Sequence, residues 1–324
     1  MTRILFVFLD GVGLGEEEAT FNAFVTARLP TLDALLDGAK AIARTTILST
    51  RRATLLPLDA TLGMAGTPQS GTGQTSLLTG INAAQRYGRH FGPWVPSSLR
   101  ALLREESVLA RATASGCRVA FANAYPEELF IELPLPTPVA VVRPEAPGRR
   151  RTPRFLQAGP PLAAIGAGIL TRHTYALERS DAIASEITND GWRDRLGRTS
   201  LPIITPAEAG QNLARIAASH DLTLFAHYST DYAGHEERLD HAVLALERVD
   251  AFLGGVLEGA PDDLLLIIAS DHGNLEDARN GHTRNPAIGL VVGRDHEAAA
   301  SWTSILDVTP AILSILETNA AERS

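Results

Sequence analysis

Three apolar runs in this chain each close on a carboxylate. ILFVFL leads to Asp10, LTLFAHY to Ser229, Thr230 and Asp231, and LLLIIAS to Asp271 and His272. Their length and their β-branched and aromatic content fit strands buried on both faces of a parallel sheet. The acids then emerge together at one sheet edge, where open α/β sheets bind ligands. Helical patterns fill the intervals. LPTLDALL, with its early proline, suits a helix, and residues 96 to 123 read as helix, helix and strand. Further along, a helix starts near Pro206, a long one runs from about His235 to Leu257, PAIGLVVG is a further strand and SILDVTPAILSIL a closing helix. Strands alternating with helices predict an α/β fold with a mostly parallel, doubly wound sheet.

The alternation breaks between Pro126 and Pro202. Prolines at 134, 136, 138, 144, 147, 153, 160 and 161 interrupt short apolar pieces, and arginines cluster between 149 and 154. This predicts a small inserted cap over residues 126–202, with 1–125 and 203–324 forming the core. A chain of 324 residues with 45% hydrophobic content can bury such a core and carry the smaller unit. A net charge of -8, with no basic run longer than Arg149 to Arg151, argues against a nucleic-acid partner and for a small anion drawn to bound metal. Cys117 is the sole cysteine, which excludes an internal disulfide and a thiolate-rich metal site. The chain opens almost directly on a strand and has no apolar run of membrane-spanning length, so a cytosolic protein without membrane contact is expected. Lys40 is the only lysine, a bias attributed to nucleotide composition. The sequence assigns no oligomeric state.

Two histidines complete the set of acids. His235 follows Asp231 by four residues in DYAGH, and His282 follows the Asp271 and His272 pair in GHTRNP. Three Asp and three His converging at one edge form a two-metal centre. Carboxylate and imidazole without sulfur suit Mn or Zn, with Fe also open, and not Ca, which takes oxygen ligands only. Three carboxylates against two divalent ions leave a cationic pocket that favours a phosphate. Ser70, in the Gly-rich stretch SGTGQTSLL before a short helix, is the expected nucleophile, with Thr72 the runner-up; a plain capping turn is the alternative for both. His227, His241 and Asp240 read as structural or solvated.

These motifs resemble the alkaline phosphatase superfamily, in particular the branch that holds cofactor-independent phosphoglycerate mutase and phosphopentomutase. FLDGVGLG, FNA and LPTLDAL resemble the mutase N-terminus; STDYAGH, SDHGN and GHTRNP resemble its later metal motifs in the same order; DVTPAIL resembles the superfamily's closing helix. The resemblance covers residues 1 to about 80 and 205 to 318. It implies that Asp231, His235 and His282 hold one metal and that Asp10, Asp271 and His272 hold the other. Ser70 then attacks phosphorus and forms a phosphoserine that water or a second hydroxyl discharges.

Asn22 matches the family's NA element, as a substrate contact or a local cap. The chain departs from the mutases at Gln74, where they carry His, in having no lysine after Lys40, and in its smaller expected cap. Hydrolysis of a small phosphomonoester is therefore favoured over a sugar-phosphate or phosphoglycerate-type mutase. Arg89 and His90 beyond the nucleophile, together with Arg154 from the cap, are candidates for a second anionic group on the substrate. A metal-stabilised binding protein without turnover is the alternative from another class; none of the six expected ligands is missing.

Overall fold

The computed structural model describes residues 1–43, 47–127 and 154–322. Its centre is one seven-stranded sheet. In chain order the strands are β1 (Arg3–Leu9), β2 (Leu48–Ser49), β3 (Ala53–Leu58), β4 (Val119–Phe121), β5 (Leu222–His227), β6 (Leu264–Ala269) and β7 (Ala287–Val292). The spatial order is β2-β3-β7-β6-β1-β5-β4. The segment β6-β1-β5-β4 is parallel throughout, while β7 runs against β6, β3 against β7 and β2 against β3. The fold is thus the expected α/β class, with an antiparallel extension at one side.

The β2-β3 hairpin was not among the expected strands. Pro57 inside ATLLPL argues against a central strand, because proline cannot donate to a ladder. The structure accommodates it because β2 pairs only with Thr54 and Leu55, so Pro57 stands past the end of β2.

Helices cover both faces, and the side-chain alternation of β1 divides them. Leu5, Val7 and Leu9 face one cluster; Ile4, Phe6 and Phe8 face the other. The first layer is built from α1 (Ala23–Thr26), α2 (Pro30–Leu35), α10 (Pro206–Ala217) and α12 (Leu239–Gly259). The second holds α3 (Ser70–Thr79), α4 (Ala83–Tyr87), α5 (Arg100–Glu106), α6 (Val108–Ala114), α7 (Gly159–Gly166) and α13 (Val308–Ala321). Two short helices, α8 (Thr174–Glu178) and α9 (Asp190–Asp194), contribute Leu177 and Trp192 to a third, small cluster beside Ala124. No helix among the described residues is long and apolar enough to cross a membrane.

The segment expected as a cap is described from residue 154 onward, apart from Pro126 and Glu127; Arg150 and most of its prolines lie outside the described residues. From Leu156 to Ala164 it belongs to the second layer. Leu162, Ala163 and Ala164 of α7 are buried in the second cluster, and Asn123 and Ile183 form a parallel bridge beyond β4. Pro160 and Pro161 occupy the first turn of α7, where a missing N–H costs nothing, so they begin a helix rather than break one.

Between β5 and α12 lies α11 (Ser229–His235), a helix of its own. The long helix expected from about His235 to Leu257 is the single helix α12, starting at Leu239; the unexpected α11 precedes it, set off at Glu236 to Arg238, where Glu237 takes a left-handed φ of 51°. Asp231 and His235, at i and i+4 of α11, project from the same face.

Candidate metal centre

Strand register brings the motifs level. Leu9 pairs with His227 and Phe8 with Ala269, so Asp10, the start of α11 and the Ser270 to His272 turn leave the sheet side by side. The loop after β1 is then sewn to its neighbours. Asp10 N–H donates to the His227 carbonyl at 2.9 Å, Val12 N–H to Ser270 Oγ at 2.9 Å, and Leu275 N–H to the Gly11 carbonyl at 2.9 Å. Gly11 has φ +67°, and a Cβ there would collide with the Asp231 carboxylate. A side chain at Gly13 would collide with Glu276. Close packing against two carboxylates thus explains two glycines of DGVG.

All six expected ligands converge. Asp10, Asp271 and His272 place ligand atoms within 4.8 Å of one another, as do Asp231, His272 and His282. His272 Nε2 lies 3.5 Å from both Asp10 Oδ1 and Asp271 Oδ2 and 3.0 Å from Ser70 Oγ. His282 Nε2 is 3.3 Å from Asp231 Oδ1 and 3.0 Å from His235 Nε2, which itself lies 3.3 Å from Asp231 Oδ2. Ser70 is the first residue of α3, so its hydroxyl stands at the positive end of a ten-residue helix.

Three features fit a cation. Asp10 Oδ1 and Asp271 Oδ2 are buried with no hydrogen-bond partner. His282 Nδ1 donates to the Pro68 carbonyl at 3.1 Å, so in the neutral ring Nε2 presents a lone pair, and it presents it to a carboxylate and a second imidazole. The Asp10 carboxyl is also crowded by its acidic neighbours. Burial, then the charges of Asp271 and Asp231, push Asp10 well above the ordinary carboxylate range, and burial raises Asp271. Burial also works against Asp231, but the His235 and His282 imidazoles beside it outweigh burial and hold its carboxyl far below the usual range.

Several residues that sequence reasoning passed over brace the ligands. Asn274 Nδ2 donates to Asp231 Oδ1 at 2.7 Å. Gln74, the departure from the mutase motif, donates from Nε2 to Asp10 Oδ2 at 3.0 Å and accepts at Oε1 from Gly159 N–H at 2.8 Å, tying Asp10 to the first turn of α7. Glu276 is fully buried. Its Oε2 accepts from Gly13 N–H at 2.9 Å and Asn274 N–H at 2.8 Å, while Oε1 accepts from Asn285 Nδ2 at 3.0 Å and from the Thr283 hydroxyl. One carboxylate therefore joins the loops that carry Asp10, His272 and His282. In Glu276→Gln an amide NH₂ must face N–H donors at one of these ends, so a loss of about 2–4 kcal/mol of unfolding free energy is expected. Urea denaturation measures it, and a change below about 0.5 kcal/mol would remove Glu276 from this role.

The remaining candidates separate. Thr72 turns away: its hydroxyl lies 3.3 Å from the Gln69 carbonyl and 3.4 Å from that of Phe91, and accepts from Phe91 N–H at 3.1 Å. Asn22 is fully buried and caps α1, accepting from Phe24 N–H at 2.9 Å and donating to the Glu16 carbonyl at 2.6 Å. Its amide is occupied at both ends, so the cap alternative describes it. Arg89 is exposed, with its guanidinium 5.8 Å from the Phe91 ring centre. His90 lies in the loop that Thr72 ties to α3; burial lowers its pKa, and its Nε2 is buried with no partner among the described residues. Arg154 begins a 3-10 turn, and its side chain lies outside the described residues.

His227 is structural towards the protein, as expected from the sequence. Its Nδ1 lies 2.7 Å from the Ser185 carbonyl, and burial pushes its pKa down to about 4. Unfolding at pH 4 to 6.5 lets this ring take up a proton, so its contribution is complete above about pH 6.5 and is lost as pH falls towards 4. The loss is about 3 kcal/mol, and comparison of wild type with His227→Asn, which keeps a side-chain N–H donor, in urea melts at both pH values isolates it. Parallel pH dependences in the two proteins would remove His227 as the cause.

Residues 206–320 match the family described as the Metalloenzyme superfamily. A 2,3-bisphosphoglycerate-independent phosphoglycerate mutase from Thiobacillus denitrificans is 36% identical over 107 residues, covering 30% of this chain and 21% of the mutase. The chain thus aligns with about a fifth of that relative's length. Two solved structures share the fold. A protein from Pyrococcus horikoshii superposes with a TM-score of 0.54 at 13% identity, covering 98% of this chain and 97% of that one. The alkaline phosphatase of the Antarctic bacterium TAB5 superposes at 0.51 and 11% identity, covering 98% of both chains.

Proposed function

We propose that this chain belongs to the alkaline phosphatase superfamily of metalloenzymes and is a cytosolic phosphoryl-transfer enzyme acting on a small phosphomonoester through Ser70. The observation that carries this reading is the position of the Ser70 hydroxyl, 3.0 Å from the His272 nitrogen on which the Asp10 and Asp271 carboxylates also converge. Asp10, Asp271 and His272 would hold one divalent ion, and Asp231, His235 and His282 a second. Mn or Zn suits these oxygen and nitrogen donors. Two such ions would acidify the Ser70 hydroxyl and offset charge on the transferring phosphoryl oxygens.

The protein's own part is placement. α3 sets Ser70 Oγ against His272, and its N-terminus favours negative charge there. The Oγ–P bond forms as the ester P–O bond breaks, and the alcohol leaves with the ester oxygen. Water then attacks the phosphoserine, releasing inorganic phosphate and restoring Ser70. Asn274, Gln74 and Glu276 keep the carboxylates in register. His90, in the loop that Thr72 ties to α3, is a candidate contact to the substrate.

Hydrolysis is favoured because a mutase must keep water from its phosphoenzyme while the substrate reorients. In the described part of the insert α7 packs into the second layer, and α8 and α9 contribute to the small cluster beside Ala124. The name of the Thiobacillus relative favours the mutase alternative. Release of phosphate from an aryl phosphate with added Mn²⁺ or Zn²⁺ tests the reading, and its absence at full metal occupancy would favour a binding protein. A trapped phosphoenzyme separates the two enzymes: discharge by water alone excludes the mutase, and discharge by sugar hydroxyls well ahead of water excludes the phosphatase.

A further inference from the structure

One strand along the sheet edge from Asp10, at the carboxyl ends of β4 and β5, the described residues enclose a second concavity, of about 830 Å³. That size suits a small ligand. It shares α11 with the metal centre but uses the other face of that helix, where Ser229, Tyr232 and Ala233 line it while Asp231 and His235 point away.

Two buried polar atoms of its lining, His227 Nε2 and the Tyr228 hydroxyl, have no hydrogen-bond partner among the described residues. His227 lines it and is fully buried. With Nδ1 donating to the Ser185 carbonyl, Nε2 is a lone-pair acceptor, and it has no partner among the described residues. Buried acceptors in native proteins are nearly always paired, so this one calls for a donor from outside. Glu186 adds a second acceptor, near enough to Arg195 and Arg248 to feel both charges. Across the cavity, Glu236 contacts His241. The lining thus holds two guanidiniums and two carboxylates, so with His241 neutral its formal charge is zero and offers no surplus positive charge for an anion. Aromatic surface is supplied by Trp192 and Tyr232. Tyr232, Leu196 and Leu244 also line it and are exposed by 68%, 50% and 64%, an apolar grouping open to solvent.

We propose that this cavity is a binding site, separate from the metal centre, for a neutral polyhydroxylated molecule such as a sugar or sugar alcohol. One ligand hydroxyl donates to His227 Nε2, others exchange hydrogen bonds with Glu186 and the two guanidiniums, and the C–H face lies on Trp192. An anion is disfavoured by the two carboxylates, and a wholly apolar ligand would leave the imidazole acceptor unpaired.

The test uses D-glucose, D-ribose and myo-inositol as probes, with inorganic phosphate as the charged control. Binding is read by tryptophan fluorescence and by calorimetry, on the metal-loaded and the chelated protein. Saturable binding of at least one polyol is expected. It persists after chelation and in Ser70→Ala, and weakens by about tenfold or more in Glu186→Ala and in the rim variant Leu244→Arg. Trp192→Phe removes the fluorescence change while calorimetric heat remains. No saturation by any polyol up to about 100 mM overturns the proposal, as does binding that both cavity variants leave unchanged. Since binding requires neither metal nor Ser70, its failure is distinguishable from a failure of the phosphoryl-transfer reading.

Discussion

Ser70→Ala is expected to lower phosphate release from an aryl phosphate by about a thousandfold or more, the scale on which removing an activated nucleophile acts. The same variant should keep its metal content and its melting temperature, because the Ser70 hydroxyl contacts His272 and holds no backbone in place. Thr72→Ala should do the reverse. Its hydroxyl ties α3 to the Phe91 loop, so stability falls by about 1–2 kcal/mol while the metal-saturated rate changes little. Initial rates, metal analysis and thermal melts on both variants decide it. A Ser70→Ala protein that retains most of its rate would move the nucleophile elsewhere, Thr72 first.

The second large effect is a reversal of sign. Asp10 is held above its ordinary range first by burial and then by the Asp271 and Asp231 charges. In the chelated protein a carboxyl raised in this way adds stability that is full below about pH 4 and is lost as pH rises through its folded value. At neutral pH the chelated wild type therefore bears the cost of this buried acid among like charges, and Asp10→Asn should stabilise it by about 1–3 kcal/mol. With metal present the order inverts. An ion at a hundredfold excess over its Kd adds about 2.7 kcal/mol to whichever protein binds it, and Asp10→Asn forfeits that at one site. Melting curves of both proteins, with chelator and with Mn²⁺, check the crossing. A variant less stable than wild type by the same amount in both conditions would make Asp10 a structural carboxylate.

What the sequence carried, and what it hid, follows from how each residue signals. Asp10, Asp231 and Asp271 were legible because continuous apolar runs that end in an acid fix both a buried strand and the end from which the acid emerges. Helix α11 was hidden: seven residues of STDYAGH, directly after a strand and containing a glycine, show no helical period. Glu276 and Asn274 read as ordinary loop polars. Only the folded turn shows that their hydrogen bonds go to Gly13 and to Asp231. Pro160 and Pro161 suggested an irregular cap and instead open α7, since proline interrupts a helix interior but fits its first turn. Gln74 looked like a lost functional group, and the structure gives it a place between Asp10 and Gly159.

Anomalous diffraction from crystals of the protein grown with Mn²⁺ bears most directly on the central claim. Two peaks about 3.5 to 4 Å apart are expected, one among Asp10, Asp271 and His272 and the other among Asp231, His235 and His282, with Ser70 Oγ beside the first. No peak at these side chains under saturating metal, or a single ion remote from Ser70, would contradict the account.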